Sequence, residues 1–181
     1  MRILVATDFS PRSQRAMRRA GILAGQSGGD VILMHVVDSA DTRQSARDIR
    51  EAQRMTVEQV AVVPELCRVA CRSLVVAGCL PDAVLDAATA RQADLIVVGA
   101  GPGRTVRGLI RAAPCPVLVV IRSVAGPYAR VMAPVDLLNA SARALRSVAS
   151  LGLADHACVT VVHAFEPVGK PKLAGFGVPR E

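Results

Sequence analysis

The chain has 181 residues, of which 51% are hydrophobic and 2% aromatic, and its formal net charge is +7. This composition excludes a largely disordered chain and predicts one full domain plus additional structure, with a core built from Val, Leu, Ile and Ala. The scarcity of aromatic side chains counts against a nucleic-acid partner, because single-stranded bases stack on aromatic platforms, and we expect the positive charge to form a solvated surface.

The chain carries no recognisable targeting or membrane segment. Met1 and Arg2 lead directly into ILVATD, which is too short for the apolar region of a secretion signal. No apolar run reaches the roughly 18 residues that a membrane span needs. The five cysteines include no metal-type pair, and Cys67 and Cys71 stand one helical turn apart in an apolar setting, so we expect buried, reduced thiols. These features favour a cytoplasmic protein without a membrane partner.

Short apolar runs alternate with amphipathic stretches through the first 122 residues. Ser10 and Pro11 mark the start of the first amphipathic stretch, since a serine followed by a proline is a typical helix start. Such alternation predicts an α/β fold with a mostly parallel, doubly wound sheet and right-handed crossovers. The predicted elements, in chain order, are strand Arg2–Thr7, helix Arg12–Ala24, strand Val31–Val37, helix Ser39–Val63 opened by Ser39 or Asp41, a turn or helix over Glu65–Arg72, strand Leu74–Ala77, helix Pro81–Arg91, strand Leu95–Val98, helix Val106–Arg111 and strand Pro114–Val120.

The sequence then repeats itself at a distance of 128 residues. Residues 2–38 and 130–166 align without a gap and share nine identities in 37 positions, among them Asp8 with Asp136 and His35 with His163. We interpret residues 128–166 as a partial second copy with a strand–helix–strand pattern, and residues 167–181 as a tail. A half copy leaves strand edges and faces bare, so we expect it to pack on the first domain or on another subunit.

Asp8 is the best polar candidate, since it ends the first strand at the sheet edge where ligands of such folds collect. It either faces a ribose or a magnesium ion, or it caps the next helix, which is worth about 1 kcal/mol. Because Asp136 repeats it in a half copy, the cap is the favoured interpretation. His35 and His163 lie inside apolar strands and are interpreted as core histidines.

The stretch GAGPGRT, residues 99–105, follows the apolar run ADLIVVG and has two interpretations. In the first, the N–H groups of Gly101, Gly103, Arg104 and Thr105 form a small anion nest at a helix N-terminus. In the second, the stretch is a plain tight turn. Its proline has no N–H to donate, and the three arginines of the following helix either neutralise a phosphate or form a solvated face.

Four segments together, RILVATDFSPRSQRAM, VILMHVVD, ADLIVVGAGPGR and RAAPCPVLVV, resemble the universal stress protein family. The resemblance covers residues 1–122 in full and 128–166 as the start of a second tandem copy. It implies a five-stranded parallel sheet of order 3-2-1-4-5, a role in the stress response, and dimers that often form through the last strand. Many members bind ATP or AMP.

The family's ATP-binding members share the motif Gly, two residues, Gly, nine residues, Gly, then Ser or Thr. By this resemblance Gly99 matches the first glycine and Gly103 the last, but only three residues separate them. Arg104 stands at the hydroxyl position, and Thr105 is displaced by one. The resemblance makes Gly101 a further loop candidate, Asp8 the sugar-side acid, and the backbone near Val37 the adenine contact.

No catalytic constellation emerges from the sequence. It contains no nucleophile elbow, no paired-histidine metal motif and no intact Walker loop. We therefore hypothesise a non-catalytic stress-response or interaction protein that forms a homodimer, carries a degenerate nucleotide loop and has no resident cofactor or metal. The alternative is a sensor module that binds AMP or ATP through GAGPGRT. An ATP-hydrolysing or adenylyl-transferring enzyme is a third class, and no residue set supports its chemistry.

Overall fold

The computed structural model describes residues 1–38, 42–101 and 103–165, and for residues 42–45 the backbone alone. Strands and helices alternate along the first two thirds of the chain, as the sequence predicts. The elements, in chain order, are β1 (Arg2–Thr7), α1 (Pro11–Ser27), β2 (Asp30–Val37), α2 (Thr42–Val62), β3 (Ala70–Ala77), α3 (Leu80–Ala90), β4 (Leu95–Gly99), α4 (Gly103–Ala112), β5 (Val117–Val120), β6 (Arg130–Val135), α5 (Asn139–Ser150) and β7 (Cys158–His163).

The first five strands form one parallel sheet in the order β3-β2-β1-β4-β5, which confirms the predicted fold class. Side chains of the central strand alternate between two cores, because successive residues of a strand point to opposite faces. Ile3 and Val5 pack with α1 and α2, whereas Leu4 packs with α3 and α4. Among the residues that the structure describes, no helix is long and apolar enough to cross a membrane.

Several predicted boundaries are wrong, mainly around edge strands. The expected turn or helix over Glu65–Arg72 is a turn followed by the start of β3, which pairs with all eight residues of β2. The start of β3 lacks an apolar pattern because an edge strand exposes polar side chains. Helix α4 begins at Gly103, three residues before the predicted start, and β5 begins at Val117 rather than Pro114. The predicted helix start at Ser39 or Asp41 lies outside the described residues.

The prediction of buried thiols at Cys67 and Cys71 is also wrong in part. Cys67 is exposed in the turn after α2, and Cys71 is half-buried in β3, so the two do not share a helix. Burial raises the pKa of the Cys71 thiol to about 11. Cys71 therefore stays protonated at neutral pH, as expected for an unreactive thiol.

The segment from β6 to β7 repeats the local geometry of the segment from β1 to β2. In both, two parallel strands pair at a sequence separation of 28, with Thr7 opposite His35 and Val135 opposite His163. In both, the histidine Nδ1 lies 2.8 Å from the backbone oxygen of its partner residue. The division at residues 122 and 128, and the origin of this unit as a second copy, stay predictions. The predicted tail, residues 167–181, lies outside the described residues.

Arg19 holds the connection between the two sheets against α1. Its side chain is 8% exposed, its Nη1 donates to the Gly126 carbonyl oxygen at 2.8 Å, and its guanidinium lies 3.9 Å from the centre of the Tyr128 ring. Val124 and Leu151 join the same apolar core. The buried Arg19 cation thus links residues 124–128 to α1. A neutral side chain at this position would leave the Gly126 carbonyl oxygen without its donor.

We expect Arg19→Ala to lower the free energy of unfolding by about 2 kcal/mol, the sum of a lost cation–π contact and a lost charged hydrogen bond. The exposed Arg107 serves as the matched control, and Arg107→Ala should change stability by less than about 0.5 kcal/mol. Urea unfolding followed by circular dichroism measures both variants. Equal stability of the two variants would contradict the assigned role of Arg19.

Gly99 lets the first turn of α1 approach β4 closely. A Cβ at this position would stand 2.6 Å from the Arg12 carbonyl oxygen. We therefore expect Gly99→Ala to destabilise the protein by about 1–3 kcal/mol. Gly108, inside α4, has nothing within 4 Å of its virtual Cβ, so Gly108→Ala should stabilise by about 0.5–1 kcal/mol. Thermal unfolding of both variants checks the opposite signs, and a neutral Gly99→Ala would show that the contact relaxes without cost.

Candidate functional site

A cavity of about 170 Å³ opens at the carboxyl ends of β1 and β4. The strand order places it there, because the crossovers from β1 and β4 leave on opposite faces of the sheet and separate α1 from α4. The polar and glycine residues that line it are Thr7, Asp8, Arg12, Ser13, Gly99, Gly101 and Thr105. The structure thus brings Asp8 and the GAGPGRT loop together, as the topology predicts.

A chain of hydroxyl groups fixes the turn between β1 and α1. Thr7 Oγ1 accepts from the Phe9 N–H at 3.0 Å and donates to Ser13 Oγ at 3.1 Å. Ser13 Oγ in turn donates to the Ser10 carbonyl oxygen at 2.9 Å. Thr7 and Ser13 are 3% and 4% exposed, so these bonds form away from solvent. Both hydroxyl protons are committed to the turn, which holds the wall of the cavity in place.

Asp8 is exposed and does not cap α1. The N-cap is Ser10, whose side chain accepts from the Ser13 N–H at 3.4 Å, and the favoured cap interpretation of Asp8 is therefore wrong. Asp8 Oδ1 instead accepts from the Ser10 N–H at 3.0 Å and closes the turn before the helix. Partial burial raises the pKa of Asp8, but hydrogen bonding, first from Ser10, lowers it more, so the net pKa lies below the usual value of 3.8. The site therefore offers a carboxylate at neutral pH.

His35 is bound into the same turn from the neighbouring strand. Its Nδ1 donates to the Thr7 carbonyl oxygen at 2.8 Å. The ring is therefore hydrogen-bonded, but His35 is half-buried and His163 is exposed, so the interpretation of both as core histidines is wrong in part. The Phe9 ring stacks on it with ring centres 4.3 Å apart. Phe9 adopts φ 59°, a left-handed conformation that is unusual for a bulky residue. The turn is thus held in one conformation by backbone, hydroxyl and aromatic contacts together.

The three glycines of the loop differ in what the fold requires of them. Gly99 must lack a side chain because of its approach to Arg12. At Gly101 a virtual Cβ meets no atom nearer than 4.0 Å, and at Gly103 it meets nothing within 4 Å. Neither residue has a positive φ. Backbone conformation and packing against the described residues therefore explain Gly99 alone, whereas Gly101 keeps open space at the rim of the cavity.

Of the four residues of the predicted anion nest, Gly101 and Thr105 line the cavity, whereas Gly103 and Arg104 do not. Helix α4 begins at Gly103, and the first N–H groups of a helix lack partners within it. Thr105, in the first turn of this helix, lines the cavity, whereas Arg104 is exposed and does not. Arg107 and Arg111 are exposed as well. This exposure fits the option that the arginines of α4 form a solvated face rather than neutralise a phosphate. The proline of the loop, residue 102, lies outside the described residues.

Val37, the predicted adenine contact, does not reach the cavity. It lies at the end of β2 with 7% exposure, and its carbonyl oxygen accepts from the Gly78 N–H at 3.0 Å. The sequence-based search missed Arg12, which lines the same cavity as Asp8. Its place in the first turn of α1, four residues after Asp8, was the available signal. No group of three metal-ligating side chains occurs in the part of the chain that the structure describes.

Solved structures similar to this chain include universal stress proteins. A protein of that family from Burkholderia pseudomallei is 28% identical, with 66% of this chain and 94% of that one covered and a TM-score of 0.57. The universal stress protein from Archaeoglobus fulgidus in complex with dAMP is 27% identical, with coverage of 67% and 98% and a TM-score of 0.59. A universal stress protein in complex with cAMP is 22% identical and shows the fold alone, with coverage of 68% and 98% and a TM-score of 0.55.

The comparison with curated proteins found no match. The sequence model of the universal stress protein family matches residues 1–120, which contain the five-stranded sheet, the β1–α1 turn and the glycine loop. This match spans about two thirds of the chain and confirms the expected resemblance for residues 1–120: the chain belongs to the universal stress protein family.

Proposed function

We propose that this protein is a non-catalytic, cytoplasmic stress-response protein whose cavity binds a nucleoside monophosphate of the AMP type rather than ATP. The observation that carries the proposal is the convergence of Asp8, Arg12, Gly101 and Thr105 around one small opening. A carboxylate, a cation, an open glycine backbone and a hydroxyl at a helix N-terminus are the groups that a ribose and one phosphate require.

The size of the cavity favours one phosphate. Sites that enclose a whole small ligand measure roughly 300–1,000 Å³, and this cavity measures about 170 Å³. That space fits a phosphate and part of a ribose, with the base lying across the open edge. The loop between Gly99 and Gly103 is also short, and the Ala100 N–H is already bonded to the Val120 carbonyl oxygen at 3.0 Å. Too few free amides then remain to surround a triphosphate.

Each polar group has a distinct role in this proposal. The Asp8 carboxylate accepts a hydrogen bond from a ribose hydroxyl. The unpartnered N–H groups of the first turn of α4 and the Arg12 cation attract the phosphate, and the Thr105 hydroxyl donates to it. The dAMP complex of the Archaeoglobus fulgidus relative, 27% identical to this chain, supports a ligand of this class.

The hydroxyl and imidazole groups near the cavity support binding rather than catalysis. The Ser13 hydroxyl donates to the Ser10 carbonyl oxygen, and the Thr7 hydroxyl donates to Ser13. The His35 Nδ1–H is bonded to the Thr7 carbonyl oxygen. Within the described residues these groups are hydrogen-bonded to the turn rather than arranged as a nucleophile and its base.

A second function, self-assembly into a homodimer, is favoured by a separate observation. Eleven large hydrophobic side chains are exposed in the described residues, and seven of them lie between residues 132 and 165. That segment is about a fifth of the chain. An apolar surface so concentrated is typical of an interaction site.

Titration calorimetry tests the ligand preference. We expect AMP to bind at micromolar concentration and ATP to bind at least about tenfold more weakly, which is about 1.4 kcal/mol. Gly101→Val should weaken AMP binding by about tenfold or more, because its side chain enters the open rim. Gly108→Val, which places the same group in open space away from the cavity, should bind AMP as the wild type does. The proposal would be contradicted if ATP bound more tightly than AMP, or if Gly101→Val and Gly108→Val bound AMP with equal affinity.

We also expect the Asp8 carboxylate to make a pH-dependent contribution to the stability of the folded protein. Its pKa is lowered in the folded state, so its contribution is fully present above about pH 3.8 and is lost as pH falls through the lower, folded-state pKa. Asp8→Asn should therefore melt at a lower temperature than the wild type at pH 6, and the gap should close below about pH 3. The same variant should lose AMP affinity at pH 7. A gap that stays constant from pH 6 to pH 2 would disprove this role of the carboxylate.

A further inference from the structure

A further cavity opens at the opposite edge of the five-stranded sheet, away from the site described above. It measures about 270 Å³ and lies where β1, β2 and β3 begin and α3 ends. Arg2 lines this cavity and Thr7 lines the first one. The two residues stand at opposite ends of β1, so about 17 Å of strand separates the cavities. A ligand in one cavity therefore does not touch the walls of the other.

The end of α3 determines where this cavity forms. Ile32 and Leu74 belong to the core that α3 and α4 cover. Side chains alternate along a strand, so Asp30 and Arg72 lie on the same face of the sheet as these two residues. Helix α3 ends at Ala90, beside the first residues of the strands. Charged side chains at the strand starts therefore form a wall of the cavity, with two apolar side chains next to them.

The charges of this wall do not balance. Three arginines, Arg2, Arg72 and Arg91, line the cavity with one carboxylate, that of Asp30. Arg2 is neutralised, because its Nε lies 3.3 Å from Asp30 Oδ2. The nearby Asp94 carboxylate accepts from the backbone N–H of Arg2 at 2.6 Å and is not part of the wall. Among the side chains that the structure describes, no carboxylate forms an ion pair with Arg72 or Arg91, so two guanidinium charges are left for an anion.

The carbonyl groups at the end of α3 do not cancel this positive charge. A helix C-terminus carries partial negative charge on its free carbonyl oxygens. Here the Arg91 carbonyl oxygen accepts from Arg2 Nη1 at 2.7 Å. The Ala87 and Ala88 carbonyl oxygens accept from the N–H groups of Arg91 and Ala93 at 3.0 and 2.9 Å. These bonds reduce the negative potential that the end of the helix directs at the cavity.

We propose that this cavity binds a small phosphate monoester, with the phosphate between Arg72 and Arg91. A phosphate monoester carries a charge of about −1.5 to −2 at pH 7, which matches two free guanidinium groups, and the guanidinium fork fits phosphate oxygens. The Asp30 carboxylate accepts from a hydroxyl of the organic part, and Ile32 and Leu74 contact its carbon atoms. A cavity of about 270 Å³ suits a small ester. The inference does not rest on the proposed AMP site.

An NMR titration of the full chain with glycerol 3-phosphate tests the site. We expect the backbone amide signals of Arg72 and Arg91 to shift along one common saturation curve. The Gly101 amide reports the first cavity in the same spectra, so binding there is measured separately. Inorganic phosphate should bind at Arg72 and Arg91 several-fold more weakly than the ester, because it has no carbon-bound hydroxyl group to reach Asp30.

Neutral variants of the two free arginines complete the test. Arg72→Gln and Arg91→Gln should each weaken binding of glycerol 3-phosphate by about tenfold, because each removes a charged hydrogen bond. Arg143→Gln removes the same charge from an exposed position on α5, so it is the matched control and should bind the ester as the wild type does. All three variants should keep the circular dichroism of the wild type.

Three results would overturn the proposal. The first is an Arg72 amide that does not shift at millimolar glycerol 3-phosphate. The second is equal affinity of Arg72→Gln and Arg143→Gln for the ester, measured at the Arg91 amide. The third is inorganic phosphate binding as tightly as the ester, which would identify the free anion as the ligand. None of these results bears on AMP binding in the first cavity, whose failure is read separately at Gly101.

Discussion

The contact between the backbone of Arg12 and Gly99 is the constraint on which the site depends. It brings the first turn of α1 directly onto the end of β4, with no side chain between them. The cavity beside this contact is lined by residues of β1, α1, β4, α3 and α4 and of the β1–α1 and β4–α4 connections, and both Arg12 and Gly99 belong to its wall. The glycine that matches the start of the family motif thus serves packing, and the glycine with open space around it lies two residues later, at Gly101.

The β1–α1–β2 and β6–α5–β7 units share one local design and differ at the turn that follows their first strand. Both keep the aspartate turn, the strand register and the histidine bond to the first strand. In the first unit Ser10 caps the helix beside a cavity, whereas Leu138 stands at the equivalent place without a side-chain cap. Leu137 has φ 63° and 76% exposure. The turn of the first unit is therefore polar, whereas the turn of the second unit exposes Leu137 and Leu138.

The sequence predicted the fold well because apolar runs and helix signals are local. Ser10 with Pro11 marked the start of α1, and the alternation of strands and helices determined the parallel sheet. The start of β3 could not be predicted, since a polar edge strand lacks the apolar pattern of a buried one. The presence of Arg12 in the cavity lining and the absence of Val37 from it could not be predicted for a related reason. Which residues line a cavity depends on the distance between α1 and β4, and no local pattern encodes that distance.

A crystal structure of the full chain grown with AMP at submillimolar concentration is the most direct test of the central claim. The account predicts density for one phosphate against the first turn of α4, with the ribose beside Asp8 and the base across the open edge. An empty cavity with AMP seated elsewhere, or a triphosphate fully ordered along the loop in a parallel ATP crystal, would contradict it.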